Sequence, residues 1–504
     1  MAASADAPAD FSLEEVLRGR SLVIASNRGP VRFETDASGE LVGRRGAGGL
    51  VTALSHVMRR ASGVWVASAM TSGDRQVVGR GPTPYIELAP EREGEENLLL
   101  RYLAFDRETF DRYYNRISNW VFWFLHHGMW NLPVEPHFDE RTRDAWSSYR
   151  RVNERFAEVV AEEIAERDQA PVMLHDYHLM LSARYLRKLQ PDAFSYHFTH
   201  IPWAQPDVMR VLPGSMARDV LDGMLANDLL GFQTVRWARN FMWCCAELLD
   251  AELDMDQGLV RYGARETVVR HYPISIDVDS VRAVASSSEA DRARRWLDRM
   301  LGGRKLIIRV DRLELSKNVV RGFRAFEEFL TRYPEWRDKV VHLALLYPSR
   351  RALREYREYE ATVLDTHDRI NAELGTDDWQ PIVLLNEDNY VRAIACLTRY
   401  DALVVNPIAD GMNLVAKEGP AVNENDGVLI LSRNAGAWYE LAHAAVSVNP
   451  YDVSDMAEAM HTALTLDPEQ RAARARLLRE VVERNNPTKW VWHQLRDIRR
   501  LHES

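Results

Sequence analysis

The stretch of residues 410–418 combines two carboxylates, Asp410 and Glu418, with a glycine between them. It follows the apolar run 403–407, which predicts a short buried strand that ends where the stretch begins. Gly411 lets the backbone turn, and the free N–H groups at the start of a following helix bind anions such as phosphate. Along a helix, the two carboxylates would lie about 12 Å apart, at ~1.5 Å per residue. Because that length spans a sugar ring, a diphosphate and a ribose, the stretch suits a nucleoside-diphosphate sugar.

A pair of cations occupies a second predicted strand end, in residues 309–318. Arg312 and Lys317 stand on either side of the turn from this strand into a helical pattern. Two cations beside a helix N-terminus can neutralise a departing diphosphate without a metal ion. A solvated charged turn is the alternative interpretation. The predicted position on the same sheet edge as Asp410 favours binding of the diphosphate.

Two stretches near the start of the chain have the composition of phosphate-binding loops. Residues 26–30 follow the first predicted strand, and residues 44–50 are rich in glycine. A glycine-rich loop that opens a helix brings the backbone close to a phosphate. Neither stretch matches the P-loop or the dinucleotide-binding pattern, so an ordinary tight turn is an equally good interpretation.

Histidines and an aspartate follow two neighbouring predicted strands. Asp176 lies between His175 and His178 after one strand, and His200 ends the next. A charged residue with two histidines is rarely part of a core, and the sequence offers no third ligand for a metal ion. We therefore expect no bound metal and expect Asp176 to contact sugar hydroxyls. His200 fits a structural histidine and a site residue equally.

Short apolar runs alternate with amphipathic segments, which predicts parallel β-sheets covered by helices on both faces. The alternation breaks in the charged stretch 283–303, and we place a domain junction just before it, near Pro273. The predicted fold class is α/β, with two Rossmann-like doubly wound domains facing a cleft and ligands beyond the carboxyl ends of the strands. The predicted strands are 22–26, 172–174, 194–200, 229–232, 268–274, 306–310, 340–346, 382–385, 402–406 and 428–431.

The domain boundaries follow from this pattern. Residues 1–20 are predicted to be a disordered tail, because the first ten are rich in Ala, Asp and Pro, and not a signal peptide, because its basic and apolar regions are missing. The first domain spans 21–272 and the second 273–485. Residues 486–504 carry a tryptophan-bearing helical pattern, which we expect to cross back onto the first domain.

Composition excludes several classes of protein. The chain has 504 residues with a formal net charge of −10, so general nucleic-acid binding is not expected. Cys244, Cys245 and Cys396 have neither disulfide nor zinc spacing, which is typical of a reducing compartment and predicts a cytoplasmic protein. No run approaches the ~18–20 apolar residues of a membrane span. The sequence leaves the oligomeric state open, a homo-oligomer included.

Taken together, these motifs resemble the trehalose-6-phosphate synthases, which are retaining glycosyltransferases with two Rossmann-like domains, the GT-B fold. The resemblance runs from about Leu22 to the end of the chain. Its specific blocks occur in the family's order, and this order makes the set far more specific than any single block. The blocks are residues 26–28, 48–50, 113–115, 175–178, 200–202, 311–312 with 316–317, and 410–418.

The resemblance implies a role for each matched residue. It implies glucose transfer from a nucleoside-diphosphate glucose to glucose-6-phosphate, with the leaving diphosphate taking the acceptor's proton and with no cofactor. The catalytic residues would be Asp176, His200, Arg312, Lys317 and Asp410. The donor would be bound by Gly49, His200, Arg312, Lys317, Glu387, Asp388, Asp410, Gly411, Met412, Asn413, Leu414, Val415 and Glu418. The acceptor would be bound by Arg28, Tyr114, Trp123, Asp176 and Arg350.

Two departures from the family pattern bear on the substrates. Ser68 stands where members commonly place a second tryptophan after Trp65, in a segment that lines the acceptor pocket. Glu387 and Asp388 stand where the donor base should lie. Guanine offers these carboxylates N–H donors at N1 and N2, whereas uracil offers only one, which favours GDP-glucose over UDP-glucose. Carboxylates that face water, or cap the helix starting near Tyr390, are the alternative.

Three other functions remain open from the sequence. A related pseudo-glycosyltransferase branch couples cyclitols through nitrogen, but the retained Arg28 and Tyr114 favour a sugar phosphate. A non-catalytic nucleotide-sugar sensor would have lost the diphosphate-binding residues, which this chain keeps. A dinucleotide-dependent dehydrogenase would need the glycine pattern that is missing after the first strand.

Overall fold

A computed structural model describes residues 21–36, 38–45, 54–55, 58–59, 61, 63–78, 83–90, 97–168 and 170–503. The chain divides into two compact units. The first comprises residues up to 273 together with 487–504, and the second comprises 274–486. The division therefore lies beside the junction that the sequence suggests near Pro273. The tail predicted over residues 1–20 lies outside the described part of the chain.

The first unit is organised around one large sheet with the strand order β10-β11-β12-β9-β8-β7-β1-β4-β6-β5. The central pairs from β12 to β6 are parallel, and the pairs at the two edges are antiparallel. Strands β2 and β3 form a separate hairpin. The strands are β1 Val23–Ser26, β2 Val31–Thr35, β3 Leu41–Arg45, β4 Val64–Ser68, β5 Ile86–Leu88, β6 Leu98–Leu103, β7 Val172–His175, β8 Ser195–Thr199, β9 Leu229–Phe232, β10 Glu252–Asp254, β11 Leu259–Tyr262 and β12 Arg265–His271.

The central strands of this sheet are buried on both faces. Helices cover both sides of the sheet, as parallel sheets require. Residues Arg112–Phe122 form a π-helix that continues into an α-helix at Trp123, whose N–H donates to the carbonyl of Ser118. The α-helices of the unit are Ser72–Val77, Arg107–Asp111, Trp123–His127, Glu140–Ala165, Ser182–Leu189, Pro206–Met209, Gly214–Met224, Val235–Leu249 and Pro487–His502.

The C-terminal helix Pro487–His502 packs within the first unit. Its Trp490 donates from Nε1 to the carbonyl of Tyr272 at 2.9 Å. Gln494 is fully buried and accepts from the hydroxyl of Tyr196 at 2.8 Å. The chain thus returns to the first unit after completing the second.

The second unit contains a fully parallel sheet with the order β15-β14-β13-β16-β17-β18. Its strands are β13 Lys305–Leu313, β14 Val340–Pro348, β15 Ile382–Asn386, β16 Ala402–Val405, β17 Val428–Ser432 and β18 Val446–Val448. Its α-helices are Val278–Ala285, Ser288–Leu301, Val319–Arg332, Arg354–Leu374, Tyr390–Leu397, Val415–Val422, Trp438–Leu441, Val453–Thr465 and Pro468–Arg484, with 3-10 turns at Leu315–Lys317 and Pro334–Trp336.

The predicted α/β class with two doubly wound parallel sheets is confirmed, and each predicted strand is present. One local prediction is wrong. Residues 410–418 are not helical throughout, because the helix begins only at Val415. Asn413 has φ +74, in the left-handed region that an α-helix does not use. The 12 Å separation derived from the helical rise therefore does not apply to Asp410 and Glu418.

Candidate functional site

The second unit brings the predicted cations and carboxylate together at the carboxyl edge of its sheet. Arg312 lies at the end of β13, and Lys317 lies in the 3-10 turn that follows. Asp410 comes after the neighbouring strand β16. The Nζ atom of Lys317 lies 2.5 Å from Oδ2 of Asp410, although 93 positions separate them in sequence. The ends of two adjacent parallel strands thus build an ion pair beside Arg312.

The turn that carries Lys317 is fixed by the residues beneath it. Arg309 is fully buried and donates from Nη2 to the carbonyl of Lys317 at 2.8 Å and to Oδ2 of Asp311 at 2.7 Å. Asn318 adopts φ +60 and donates from its side chain to the carbonyl of Asn406 at 3.0 Å. The backbone that carries Lys317 is therefore fixed, and its ammonium group pairs with Asp410.

The electrostatic surroundings keep Lys317 charged. Burial by itself lowers the pKa of Lys317, but attraction to Asp410 and Asp311 outweighs it and raises the pKa above its ordinary value. A lysine in this state is a fixed positive charge at neutral pH rather than a base. This property suits the stabilisation of a phosphate group.

The loop between Asp410 and the helix Val415–Val422 is held by backbone contacts to a second loop. The N–H of Ala437 donates to the carbonyl of Met412 at 2.7 Å, and the N–H of Gly436 donates to the carbonyl of Asp410 at 3.1 Å. A Cβ on Gly436 would lie 1.9 Å from the carbonyl oxygen of Gly411, so a side chain there would force the loops apart. The side chain of Asn413 donates to Asp410 at 3.1 Å. Leu414 and Val415 complete the entry to the helix.

Glu418 lies in the first turn of that helix and is partly exposed. Tyr390 donates its hydroxyl proton to Oε1 of Glu418 at 3.4 Å. Burial raises the pKa of the Glu418 carboxyl to about 7, although the hydrogen bond from Tyr390 lowers it. The carboxyl group therefore changes its charge close to neutral pH.

Glu418→Gln is expected to raise the melting temperature at pH 8 by roughly 5 °C. A carboxyl group whose pKa is raised in the folded state binds its proton more tightly when folded. The wild type therefore loses stability as the pH rises from about 4.5 to about 7. Glutamine has no charge to bury, so the variant escapes this loss. Thermal unfolding at pH 4 and pH 8 measures the effect, and the two proteins should differ least at pH 4.

The control for this prediction is Glu480→Gln, which changes an exposed carboxylate in the same unit. It should leave the melting temperature close to that of the wild type at both pH values. Equal melting temperatures for Glu418→Gln and the wild type at pH 8 would contradict a costly carboxylate at this position.

A second arginine lies beside Arg312. Arg350, in the loop after β14, donates from Nη1 to Oε2 of Glu314 at 2.7 Å and to the hydroxyl of Tyr356 at 3.1 Å. Glu314 also faces Arg312, whose Nη2 lies 3.6 Å from Oε1. The second unit thus holds two predicted substrate-binding arginines around one buried carboxylate.

The acidic pair near the predicted donor base is exposed. Glu387 forms an ion pair with Arg392, and Asp388 is exposed to solvent. The helix Tyr390–Leu397 is capped by Asn389, whose side chain accepts from the N–H of Arg392 at 2.9 Å. Neither carboxylate caps this helix, so that part of the alternative interpretation is wrong. Both carboxylates face solvent, as the other part of it predicts. The carboxylate of Glu387, which the preference for guanine requires as an acceptor, already has an arginine partner.

In the first unit, the predicted phosphate-binding residues meet after β1. Arg28 is exposed and donates from Nη2 to the hydroxyl of Tyr114 at 3.0 Å. The Tyr114 ring stacks on His178, with ring centroids 5.8 Å apart. Trp123 is buried at the start of the α-helix that continues this segment and stacks on His127, with ring centroids 4.1 Å apart. Of these rings, Tyr114 contacts Arg28, and its own ring packs on His178.

Asp176 and His200 also meet, at the ends of the adjacent strands β7 and β8. The N–H of His200 donates to Oδ1 of Asp176 at 3.2 Å, and Asp176 adopts φ +72. The His200 ring has His175 at 3.4 Å from Nε2 and Gln233 at 3.4 Å from Nδ1. Burial and the neighbouring histidines hold the pKa of His200 well below its usual value, so the ring is neutral at physiological pH. It can donate or accept a hydrogen bond but offers no positive charge.

Some predictions fall outside the site or outside the described residues. Gly49 and most of the glycine-rich stretch 44–50 are not among the described residues. Ser68 is buried at the end of β4, and the nearby Trp65 donates from Nε1 to Ser26 at 2.8 Å. Within the part of the chain that the structure describes, no group of three His, Cys, Asp or Glu residues is arranged to hold a metal ion.

Sequence reasoning missed three residues of the site. Glu314 contacts Arg350, Tyr390 contacts Glu418, and Gln233 contacts His200. Only Glu314 could have been found from the sequence, because it is a carboxylate between the two cations Arg312 and Lys317 in the turn that is predicted to bind a phosphate. The other two come from elements distant in sequence.

Comparison with known proteins identifies the family. The sequence model described as Glycosyltransferase family 20 matches residues 20–500. The chain belongs to glycosyltransferase family 20. This confirms the resemblance drawn from the seven blocks, and it agrees with the confirmed α/β fold.

Relatives of this chain carry the name trehalose-phosphate synthase. It is 33% identical over 481 residues to the UDP-forming alpha,alpha-trehalose-phosphate synthase of Schizosaccharomyces pombe, covering 94% of this chain and 89% of that one. It is 32% identical over 482 residues to the bifunctional trehalose-6-phosphate synthase/phosphatase of Thermoproteus tenax, covering 93% of this chain. The chain spans only 62% of the length of that protein.

Solved structures give the same result for the fold. A trehalose-6-phosphate structure from E. coli, described as bound with UDP-2-fluoro glucose, matches with a TM-score of 0.81 and 27% identity over 95% of this chain and 99% of that one. A UDP-forming synthase from Burkholderia xenovorans, in complex with glucose-6-phosphate, matches with a TM-score of 0.78 and 28% identity over 95% and 99%. The family 20 chain therefore has the GT-B fold of these enzymes.

Proposed function

We propose that the protein is a retaining glucosyltransferase that moves glucose from a nucleoside-diphosphate glucose to glucose-6-phosphate and so forms trehalose-6-phosphate. The observation that carries the proposal is the ion pair of Lys317 with Asp410 beside Arg312, at the carboxyl edge of a doubly wound sheet. Such an edge is where sheets of this kind bind nucleotides. The relatives named above are trehalose-phosphate synthases, which supports the same reaction.

The donor half of the site lies in the second unit. Arg312 and Lys317 supply two positive charges for the diphosphate, and charge-assisted hydrogen bonds of this kind are strong. Asp410 and the loop through Gly411, Met412 and Asn413 present a carboxylate, an amide and backbone groups to the sugar. Glu418, in the first turn of the following helix, would accept hydrogen bonds from the ribose hydroxyls. The E. coli structure described with UDP-2-fluoro glucose supports a nucleotide sugar as the ligand.

For the acceptor we propose Arg28, Tyr114 and Arg350, the residues that the family resemblance assigns to its phosphate. Both arginines carry guanidinium groups that bind a phosphate through paired N–H donors. Asp176 would accept from an acceptor hydroxyl, and its position is fixed by the N–H of His200. The Burkholderia xenovorans complex with glucose-6-phosphate supports this class of acceptor.

Catalysis follows from positioning and charge. As the bond from C1 of glucose to the diphosphate breaks, negative charge grows on the phosphate oxygens that Arg312 and Lys317 face. The acceptor hydroxyl attacks C1 on the same face, and its proton passes to a leaving phosphate oxygen, which retains the anomeric configuration. Asp410 is already paired with Lys317, so we assign it to binding the sugar rather than to nucleophilic attack. Neutral His200 would hydrogen-bond the donor sugar without adding charge.

The comparisons do not support the GDP-glucose donor that the sequence favoured. The relatives named above as UDP-forming point to UDP-glucose. Pairing of Glu387 with Arg392 also weakens the argument for guanine. We therefore propose UDP-glucose as the donor.

A donor panel tests the reaction and the base together. With glucose-6-phosphate as acceptor, kcat/KM for UDP-glucose is expected to exceed kcat/KM for GDP-glucose, and trehalose-6-phosphate is the expected product. Glu387→Gln, which removes the charge from the exposed pair, should leave the order of the two donors unchanged. A higher kcat/KM for GDP-glucose would overturn the choice of base, and absence of trehalose-6-phosphate with either donor would overturn the proposed function.

The other functions are less well supported. A nucleotide-sugar sensor would release no nucleoside diphosphate in this assay, and a cyclitol-coupling enzyme would not use glucose-6-phosphate. In the described residues, no helix has both the length and the apolar character needed to span a bilayer. Cys244, Cys245 and Cys396 are free and buried, which suits a reducing compartment, and on this ground we propose a cytoplasmic location.

A further inference from the structure

Glu314, the first residue after β13, is a fully buried carboxylate that contacts two arginines. Its Oε2 lies 2.7 Å from Nη1 of Arg350, and its Oε1 lies 3.6 Å from Nη2 of Arg312. Ser316 donates its hydroxyl proton to Oε1 at 2.7 Å. One side chain thus links the arginine assigned to the donor diphosphate with an arginine assigned to the acceptor phosphate.

The two arginines are held to different degrees. The Arg350 side chain is 13% exposed, lies at direct hydrogen-bond distance from Glu314 and also donates to Tyr356 at 3.1 Å. The Arg312 side chain is 35% exposed and stands farther from the carboxylate. Glu314 therefore holds Arg350 more closely than it holds Arg312.

The backbone at Arg350 points to the same conclusion. Its φ of +41 places it in a region that non-glycine residues seldom occupy. Such a conformation persists when surrounding contacts impose it, and it is common at ligand sites. Burying a carboxylate is also costly unless a cation pairs with it. Both costs are offset by the same contact between Glu314 and Arg350.

We propose that Glu314 is a positioning residue for the acceptor: it holds the Arg350 guanidinium in the orientation that binds the phosphate of glucose-6-phosphate. The inference rests on the proposed function and assigns a role to a residue that does not itself touch substrate. Its effect should appear mainly in acceptor binding, because Arg312 depends on Glu314 far less than Arg350 does.

Glu314→Gln tests the proposal, since glutamine keeps the shape of the side chain and removes its charge. The KM for glucose-6-phosphate is expected to rise about ten-fold, the scale for weakening one charge-assisted hydrogen bond. The KM for UDP-glucose should change less than three-fold. Glucose has no phosphate for Arg350 to bind, so the rate with glucose as acceptor should fall less than three-fold, through the weaker contact of Glu314 with Arg312. The preference for glucose-6-phosphate over glucose should therefore fall by at least about three-fold.

Further variants separate positioning from simple structural support. Glu360→Gln is the matched control, because it breaks the pair of the adjacent Arg351 at 2.5 Å, and it should leave the acceptor KM unchanged. The double variant Glu314→Gln with Arg350→Ala should match Arg350→Ala alone, because Glu314 acts through that arginine. If Glu314→Gln does not fold, as judged by circular dichroism, Glu314→Asp keeps the charge and shortens the reach. It should raise the acceptor KM several-fold.

The results that overturn the proposal are distinct from those that overturn the function. Equal loss of rate with glucose and with glucose-6-phosphate in the Glu314 variants would show a structural role, and an unchanged acceptor KM would show no role. In both cases the wild type would still form trehalose-6-phosphate. Failure of the wild type to form it would instead reject the function on which the inference rests.

Discussion

Replacing Lys317 by alanine is expected to lower kcat by about 10²–10³-fold, and Arg312→Ala is expected to have an effect of the same size. Both cations face charge that grows as the diphosphate leaves, so they stabilise the transition state more than the bound donor. Loss of Lys317 also leaves Asp410 without the ammonium group that lies 2.5 Å from it. The uncompensated carboxylate would then repel the phosphate. Steady-state rates of nucleoside-diphosphate release measure the effect.

Lys305→Ala is the matched control for Lys317→Ala. Lys305 is the first residue of β13, and its Nζ lies 2.8 Å from Oδ1 of Asp401, the residue before β16. It therefore forms the same type of ion pair as Lys317, at the other end of the same two strands. Its removal should leave kcat within about two-fold of the wild type, because Lys305 is exposed and the buried Asp401 keeps Arg471 and the N–H of Leu306 as partners. Turnover of Lys317→Ala within a few-fold of the wild type would refute the assignment of this lysine to the diphosphate.

Arg28→Ala is expected to raise the KM for glucose-6-phosphate by about 30–100-fold while the KM for the donor changes only a few-fold. A hydrogen bond between an arginine and a charged phosphate contributes about 2–3 kcal/mol, and each 1.4 kcal/mol changes affinity ten-fold. Tyr114 keeps its stacking on His178 when Arg28 is removed, so the local structure should survive. Initial rates with each substrate varied in turn measure the two constants.

Arg32→Ala provides the comparison for Arg28→Ala. Arg32 lies four positions further along the chain on β2 and pairs with Glu34 at 2.8 Å on the surface. Its variant should keep both KM values. An unchanged acceptor KM in Arg28→Ala would move the phosphate site elsewhere, and an equal rise in both KM values would indicate general damage instead of a lost phosphate contact.

The strands that carry the site were predictable, because each depends on a short run of apolar residues in the sequence. Apolar runs marked each predicted strand, and the polar residues directly after them marked the edge of the sheet where ligands bind. The meeting of Lys317 with Asp410 follows from this rule, since both come after neighbouring parallel strands. The same rule brought Asp176 to His200 at the ends of β7 and β8.

Contacts that depend on long-range packing were not predictable. The apolar run and the glycine after it predicted a helix from the start of 410–418, but the loop containing Gly436 holds Asp410 and Met412 in an irregular path, so the helix begins later. The hydroxyl of Tyr390 reaches Glu418 from another helix. Glu387 pairs with Arg392, which lies five positions further along the chain in the following helix, and this partner is not evident from the sequence. In each case the deciding partner was not next to the residue in sequence.

The chain contains only six lysines, and the proposed reaction relies on one that is shielded. A raised pKa leaves Lys317 with very little of the neutral amine that attacks acylating reagents. Lys417 is likewise buried, 2.6 Å from Glu440, whereas Lys188, Lys305 and Lys339 are exposed. Amine-directed crosslinkers and activated resins will therefore attach at the exposed lysines and spare Lys317. Immobilised preparations of the protein should accordingly keep their turnover.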